Sequence, residues 1–174
     1  MASGIIGAVI FGLLSAFFPP LNAEIYAVAA PVIFPDMWVL HVSAMTGGLV
    51  IGKITHFVAA AKGAEAISRR REIKEARGPR TEPLEGPATV WRRVRDKLTE
   101  WSKAMIDVLD RPRLGPLVIL SSSGIGFPPL AVVVVAAGVK RVSATILIGV
   151  MTIGCLARFL ITAWLVQEGI DIRF

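Results

Sequence analysis

The chain opens and closes in long apolar blocks, and each block is broken near its middle by prolines. Ile5 to Phe18 is apolar but for small residues, and as a helix it is about 21 Å long at 1.5 Å per residue, short of a hydrocarbon core of about 30 Å. Pro19-Pro20-Leu21-Asn22-Ala23-Glu24 interrupts it, and a second short piece, Ile25 to Phe34, ends at Pro35-Asp36. Paired prolines break helices, so the pattern predicts a re-entrant hairpin; the alternative is one long Pro-kinked span with Glu24 at an interface. Trp38 to Ala61 is long enough to cross a bilayer and carries Ala44, Gly48, Gly52, His56 and Ala60 at i+4 spacing, a stripe that admits a second helix closely. Helix-favouring residues continue through Glu65, Arg69, Glu72 and Lys74 until Gly78-Pro79, so this helix is expected to project beyond its apolar part.

The second half repeats the opening. One apolar piece from Leu114 leads into Ser121-Ser122-Ser123-Gly124-Ile125-Gly126-Phe127-Pro128-Pro129, a second runs from Leu130 to Ala137, and Val142 to Val166 then spans. Gly154, Arg158 and Thr162 share a face of that span, and Glu168 and Asp171 are expected just beyond it. Between the halves, Gly78 to Pro87 reads as a turn-rich loop, whereas Thr89 to Leu109 places Trp91, Val94, Leu98, Trp101, Met105 and Val108 at alternating spacings of three and four among basic residues. That is an amphipathic helix. It suits an anionic membrane surface, and equally packing on a neighbouring helix or on a second copy in a homo-oligomer.

Composition narrows the class. Of 174 residues 54% are hydrophobic, and the mean hydropathy is +0.65, values of a membrane chain. The formal charge of +6 does not point to nucleic acid, because most Lys and Arg lie between Lys62 and Arg113. Two His and the single Cys155 give neither a disulfide nor a four-ligand zinc site without carboxylates, so no cofactor or metal is expected. No Ser-His-acid order or Gly-rich nucleotide loop appears, which argues against an enzyme.

Phe18-Pro19-Pro20-Leu21 recurs as Phe127-Pro128-Pro129-Leu130, and the alignment also brings Gly52-x-x-x-His56-Phe57 near Gly154-x-x-x-Arg158-Phe159. The chain therefore reads as residues 1–61, hairpin plus span; 62–113, basic loop with amphipathic helix; and 114–174, hairpin plus span. No Lys or Arg precedes Lys53, so the positive-inside rule puts the central loop and Lys140-Arg141 in the cytoplasm and both termini outside. The halves are then inverted. The fold expected is an all-α integral membrane protein, multi-pass in a bacterial plasma membrane, with two inverted hairpins meeting near the midplane as in many secondary transporters.

Leu14-Ser15-Ala16-Phe17-Phe18-Pro19-Pro20-Leu21-Asn22-Ala23-Glu24, Ala44-Met45-Thr46-Gly47-Gly48 to Gly52, and Ala137-Gly138-Val139 together resemble the DedA/VTT (SNARE-associated) membrane superfamily, its short YqaA-like branch most closely. The resemblance covers both apolar halves but not the loop from about Ser68 to Arg113. It implies two facing re-entrant hairpins and translocation of lipid phosphates such as polyprenyl phosphate or phospholipid, with proton coupling as an option. Glu24 matches the acidic residue of the family's first hairpin. Arginines usually flank the proline of the second hairpin in that family, and here those places read Gly124-Ile125-Gly126-Phe127-Pro128-Pro129-Leu130.

The candidate site residues are Glu24, Asn22, Pro19, Pro20, Pro128, Pro129, Lys53, His56 and Arg158. A carboxylate at a break can exchange protons near neutrality when burial and a neighbouring cation act on it together. The helix N-termini exposed at both breaks favour phosphate without needing arginines. Arg158 serves either as a structural partner of Glu24 or of a carbonyl, or as a substrate contact. Lys53 and His56 either add cationic character or snorkel to the cytoplasmic end. Ser121, Ser122 and Ser123 read as capping groups at the break. Two other classes stay open: a membrane scaffold without transport, which needs no ionisable residue in the hairpins, and a small-molecule exporter.

Overall fold

The computed structural model of the chain describes residues 2–18, 21–76 and 114–171. Their regular structure is entirely helical: α1 (Ala2–Phe17), α2 (Ala23–Ile33), α3 (Trp38–Ala76), α4 (Leu114–Gly124), α5 (Leu130–Val139) and α6 (Ala144–Asp171). The turn-rich loop and amphipathic helix expected over residues 78–109, and the Pro19-Pro20 pair, lie outside the described residues. Two helices are long and apolar enough to cross a membrane, α3 over Trp38–Arg69 and α6 over Ala144–Gly169. As expected, α3 runs well past Lys62. The sixth helix is longer than expected at its end: Gln167 and Glu168 favour helix and no proline stops them, so Glu168 and Asp171 lie within its last turns.

Helices α1 and α3 touch backbone to backbone. A Cβ on Gly12 would lie 1.9 Å from the Met45 carbonyl oxygen, one on Gly48 2.0 Å from that of Val9, and one on Gly52 2.4 Å from Ala16 Cβ. Gly48 and Gly52 of the expected stripe thus form this interface, and Ala60 further along it meets Gly138 of α5. Where water supplies no drive for helices to associate, such close approach provides the van der Waals contact that does. The contacts ascend together, from Gly4 beside His41 to Ala16 beside Gly52. Helices α1 and α3 therefore run in the same sense, and the chain direction reverses between them.

The second half is built with the same pairing. A Cβ on Gly154 of α6 would lie 1.9 Å from Ser123 Oγ near the end of α4, and one on Gly138 of α5 2.5 Å from the Phe57 carbonyl oxygen of α3. Each half thus lays its first short helix mainly on its own long helix, α1 on α3 and α4 on α6. The second short helix goes mainly to the long helix of the other half, α2 to α6 and α5 to α3. Met45, Ile119, Val133, Val134, Leu147 and Met151 fill the core between them. The outer faces stay apolar, with Ile6, Ile25, Val32, Ile125, Ile153 and Leu165 exposed. A contiguous exterior of that kind marks contact with a membrane or another protein.

Both ends of the bundle are tied. His41, only 3% exposed, stacks on Phe34 at 3.9 Å between ring centroids, and its Nδ1 lies 3.0 Å from the Tyr26 hydroxyl. At the other end Glu65 of α3 accepts from Arg69 at 2.7 Å and from Arg141 of the α5–α6 turn at 3.0 Å.

Candidate functional site

The first break leaves the N-terminus of α2 open, and Asn22 caps it: its Oδ1 accepts from the Glu24 backbone N–H at 3.0 Å. This fixes Glu24 in the first turn, where the positive end of the helix dipole favours a carboxylate. Arg158 reaches it from about halfway along α6, and its Nη2 forms an ion pair with Glu24 Oε1. The side chains of Arg158 and Glu24 are 28% and 45% exposed, so the pair is partly buried and still reachable from outside.

The same guanidinium lies against the second break. Gly126 has φ +91°, a conformation open mainly to glycine, and a Cβ there would come within 2.6 Å of Arg158 Nη1. Arg158 is therefore the point where the two breaks meet, held by a carboxylate of one and packed on the bare backbone of the other. Two of the serines act as expected at the break, Ser121 donating to the Phe127 carbonyl at 2.8 Å and Ser122 to that of Pro128 at 2.6 Å, whereas Ser123 donates back within α4 to the Ile119 carbonyl at 2.8 Å. Pro129 is the N-cap of α5 and offers no side-chain bond, so the N–H groups of that first turn are left without a side-chain cap. The Phe127–Pro128 peptide is cis.

Lys53 does not snorkel. It is 9% exposed and turned inward, donating from Nζ to the Ala16 carbonyl at 3.2 Å, near the end of α1 where unpaired carbonyls draw a cation. His56 packs edge-on against Phe17 at 4.8 Å, again at the end of α1. Of the residues singled out in the sequence, Glu24, Asn22 and Arg158 come together, Pro128 and Pro129 frame the second break, and Lys53 and His56 form the wall behind the first. Each break also opens on an apolar groove. One, of about 580 Å³, is lined by Asn22, Glu24, Ile25, Val28 and Val32; the other, of about 340 Å³, by Leu120, Ser121, Gly124, Ile153 and Gly154.

Two features escaped sequence reasoning. Gly126 was visible only as one of several glycines, and nothing in Gly-Ile-Gly says which of them turns to positive φ. His41 shares a helical face with Met45, Gly48 and Gly52, which was the available signal for its burial. Among the described residues no group of three metal-ligating side chains is present.

Fold and site thus define a chain whose described residues are helical, with two helices able to cross a membrane and an ion pair joining two helix breaks. Comparison with family models, with curated proteins and with solved structures returns no match.

Proposed function

We propose that the chain is a lipid translocator of the bacterial plasma membrane, moving a lipid phosphate such as polyprenyl phosphate or a phospholipid, and that it belongs with the DedA/VTT superfamily it resembles. In this reading α1–α2 and α4–α5 are re-entrant hairpins of an inverted repeat, α3 and α6 are the spans, and residues 62–113 lie in the cytoplasm. The observation that carries it is the Glu24–Arg158 pair spanning the two breaks. Ionisable side chains at membrane depth are rare outside substrate and ion pathways, and here the cation is shared by both breaks. The parallel register of α1 and α3 supports hairpins over a single kinked span, and the exchanged pairing of short and long helices supports an internal repeat.

The chemistry follows from the parts. A phosphate entering between the breaks competes with Glu24 for Arg158 and meets the N-termini of α2 and α5, while its chain lies in the apolar groove along Ile25, Val28 and Val32. Protonating Glu24 releases Arg158 to the phosphate, which is how a proton gradient would couple to transport.

Glu24→Gln tests this, because it keeps size and hydrogen bonding and removes the charge. Thermal stability in detergent is measured alongside lipid-phosphate translocation in proteoliposomes with and without a pH gradient. The expected outcome is a folded protein without gradient-driven transport. Wild-type transport by a stable Glu24→Gln protein would remove the proton-coupled site. Because the pair also ties the two halves together, a scaffold reading has support from the same contact; it predicts a loss of about 2 kcal/mol on leaving the partly exposed Arg158 unpaired, restored in Glu24→Gln/Arg158→Gln.

A further inference from the structure

The end of the bundle away from His41 holds a third cavity, of about 340 Å³, whose lining includes Phe57, Ala61, Lys62, Glu65, Arg141 and Val142. It lies where the apolar part of α3 ends and that of α6 begins. Lys62 is the first charge after the apolar run of α3 that follows the inward-turned Lys53, and Arg141 stands three residues before α6. If α3 and α6 cross the bilayer, this level is the phosphate layer of one leaflet. Its lining combines apolar side chains, Phe57, Ala61 and Val142, with the cations Lys62 and Arg141.

Positive charge around the cavity is in excess. Glu65, the carboxylate in the lining, is already held by Arg69 and Arg141, whereas Lys62 makes no ion pair among the described residues. Arg141 adds a second indication. Its φ is +54°, a conformation that disfavours a residue with a side chain and that glycine would take without strain. An arginine is held there nonetheless, with its guanidinium beside the cavity.

From these contacts we infer that this cavity is a binding site for the phosphate head of an anionic phospholipid, separate from the Glu24–Arg158 site. Lys62 and Arg141 carry the phosphate and Phe57, Ala61 and Val142 receive the first carbons of the chains. A lipid seated there ties the α5–α6 turn to α3 and fixes the depth of both long helices. The site rests on the two helices crossing the membrane but not on transport, so it stands if the chain proves to be a scaffold.

The strained arginine makes a clean test. Arg141→Gly removes the guanidinium while relaxing the backbone, and Lys62→Gln removes a charge that has no ion-pair partner among the described residues. The full-length protein in neutral detergent is titrated with phosphatidylglycerol, with phosphatidylcholine and with inorganic phosphate, and bound adducts are counted by native mass spectrometry. The wild type should prefer phosphatidylglycerol over phosphatidylcholine. Each variant should lower phosphatidylglycerol affinity roughly fivefold and the pair on the order of twentyfold, with thermal stability unchanged or raised. Equal retention of the two lipids by the wild type would overturn the site, as would an unchanged preference in the double variant or in Lys62→Gln alone. Binding of inorganic phosphate as strong as that of phosphatidylglycerol would overturn the lipid as its occupant.

Discussion

The two breaks share a position in the fold and differ in chemistry. The break between α1 and α2 is charged: Asn22 caps the returning helix, Glu24 sits in its first turn, and Lys53 closes on the carbonyls at the end of α1. The break between α4 and α5 has no ionisable side chain; three serines satisfy nearby carbonyls, and Gly126 bares its backbone. Each break is faced by the aligned polar residue of its own long helix, His56 beside Phe17 and Arg158 beside Gly126. Only Arg158 also reaches across to the other break. One scaffold thus holds a donor-rich, uncharged turn against a carboxylate, with a single cation between them.

The largest effect should come from the glycines that buttress the breaks. A Cβ at Gly52 meets Ala16 Cβ at 2.4 Å, and one at Gly154 meets Ser123 Oγ at 1.9 Å. Gly52→Ala and Gly154→Ala should each destabilise by about 3 kcal/mol in thermal unfolding, since a packed helix must move. A silent Gly154→Ala would break the equivalence of the two halves.

Next in size is the exchange of the aligned polar residues. Arg158→Gln should cost about 2 kcal/mol, less than a fully buried pair because Glu24 remains partly exposed, and it should abolish lipid-phosphate translocation in proteoliposomes. His56→Gln, at the matching position, should stay within about 0.5 kcal/mol and keep transport. The smallest effects belong to the caps. Asn22→Ala and Ser122→Ala should each cost about 1 kcal/mol, the first by freeing the Glu24 N–H and the second by freeing the Pro128 carbonyl. If Asn22→Ala alone also stopped transport, the cap would have a share in placing Glu24.

Much of this was legible in the sequence because it follows from local rules. Prolines and apolar run lengths located the helices, i+4 spacing located Gly48 and Gly52, and the scarcity of charge in the apolar halves singled out Glu24 and Arg158, with their pairing as one of the readings of Arg158. The choice between the two readings of Lys53 was not legible for a tertiary reason: its side chain has a route outward along α3, and only the carbonyl end of α1, brought near by Gly52, draws it inward. The contact of His41 with Tyr26 was invisible for the same reason, since it joins residues whose helices meet only once the chain has reversed. The charge excess at Lys62 was readable; the strained Arg141 beside it was not, because backbone dihedrals at a turn are not written in an Lys-Arg pair.

The exchanged pairing of helices has a mechanical consequence. Helix α1 is locked to α3 at a distance that admits no side chain, so those two move as a single rod, while α2, next in the chain, rides mainly on α6. The moving bodies are therefore not the halves of the sequence. Any rocking of one long helix against the other would drag a segment of the opposite half along with it. Arg158, within the α6 body, meets both breaks, pairing with Glu24 at one and lying against Gly126 at the other.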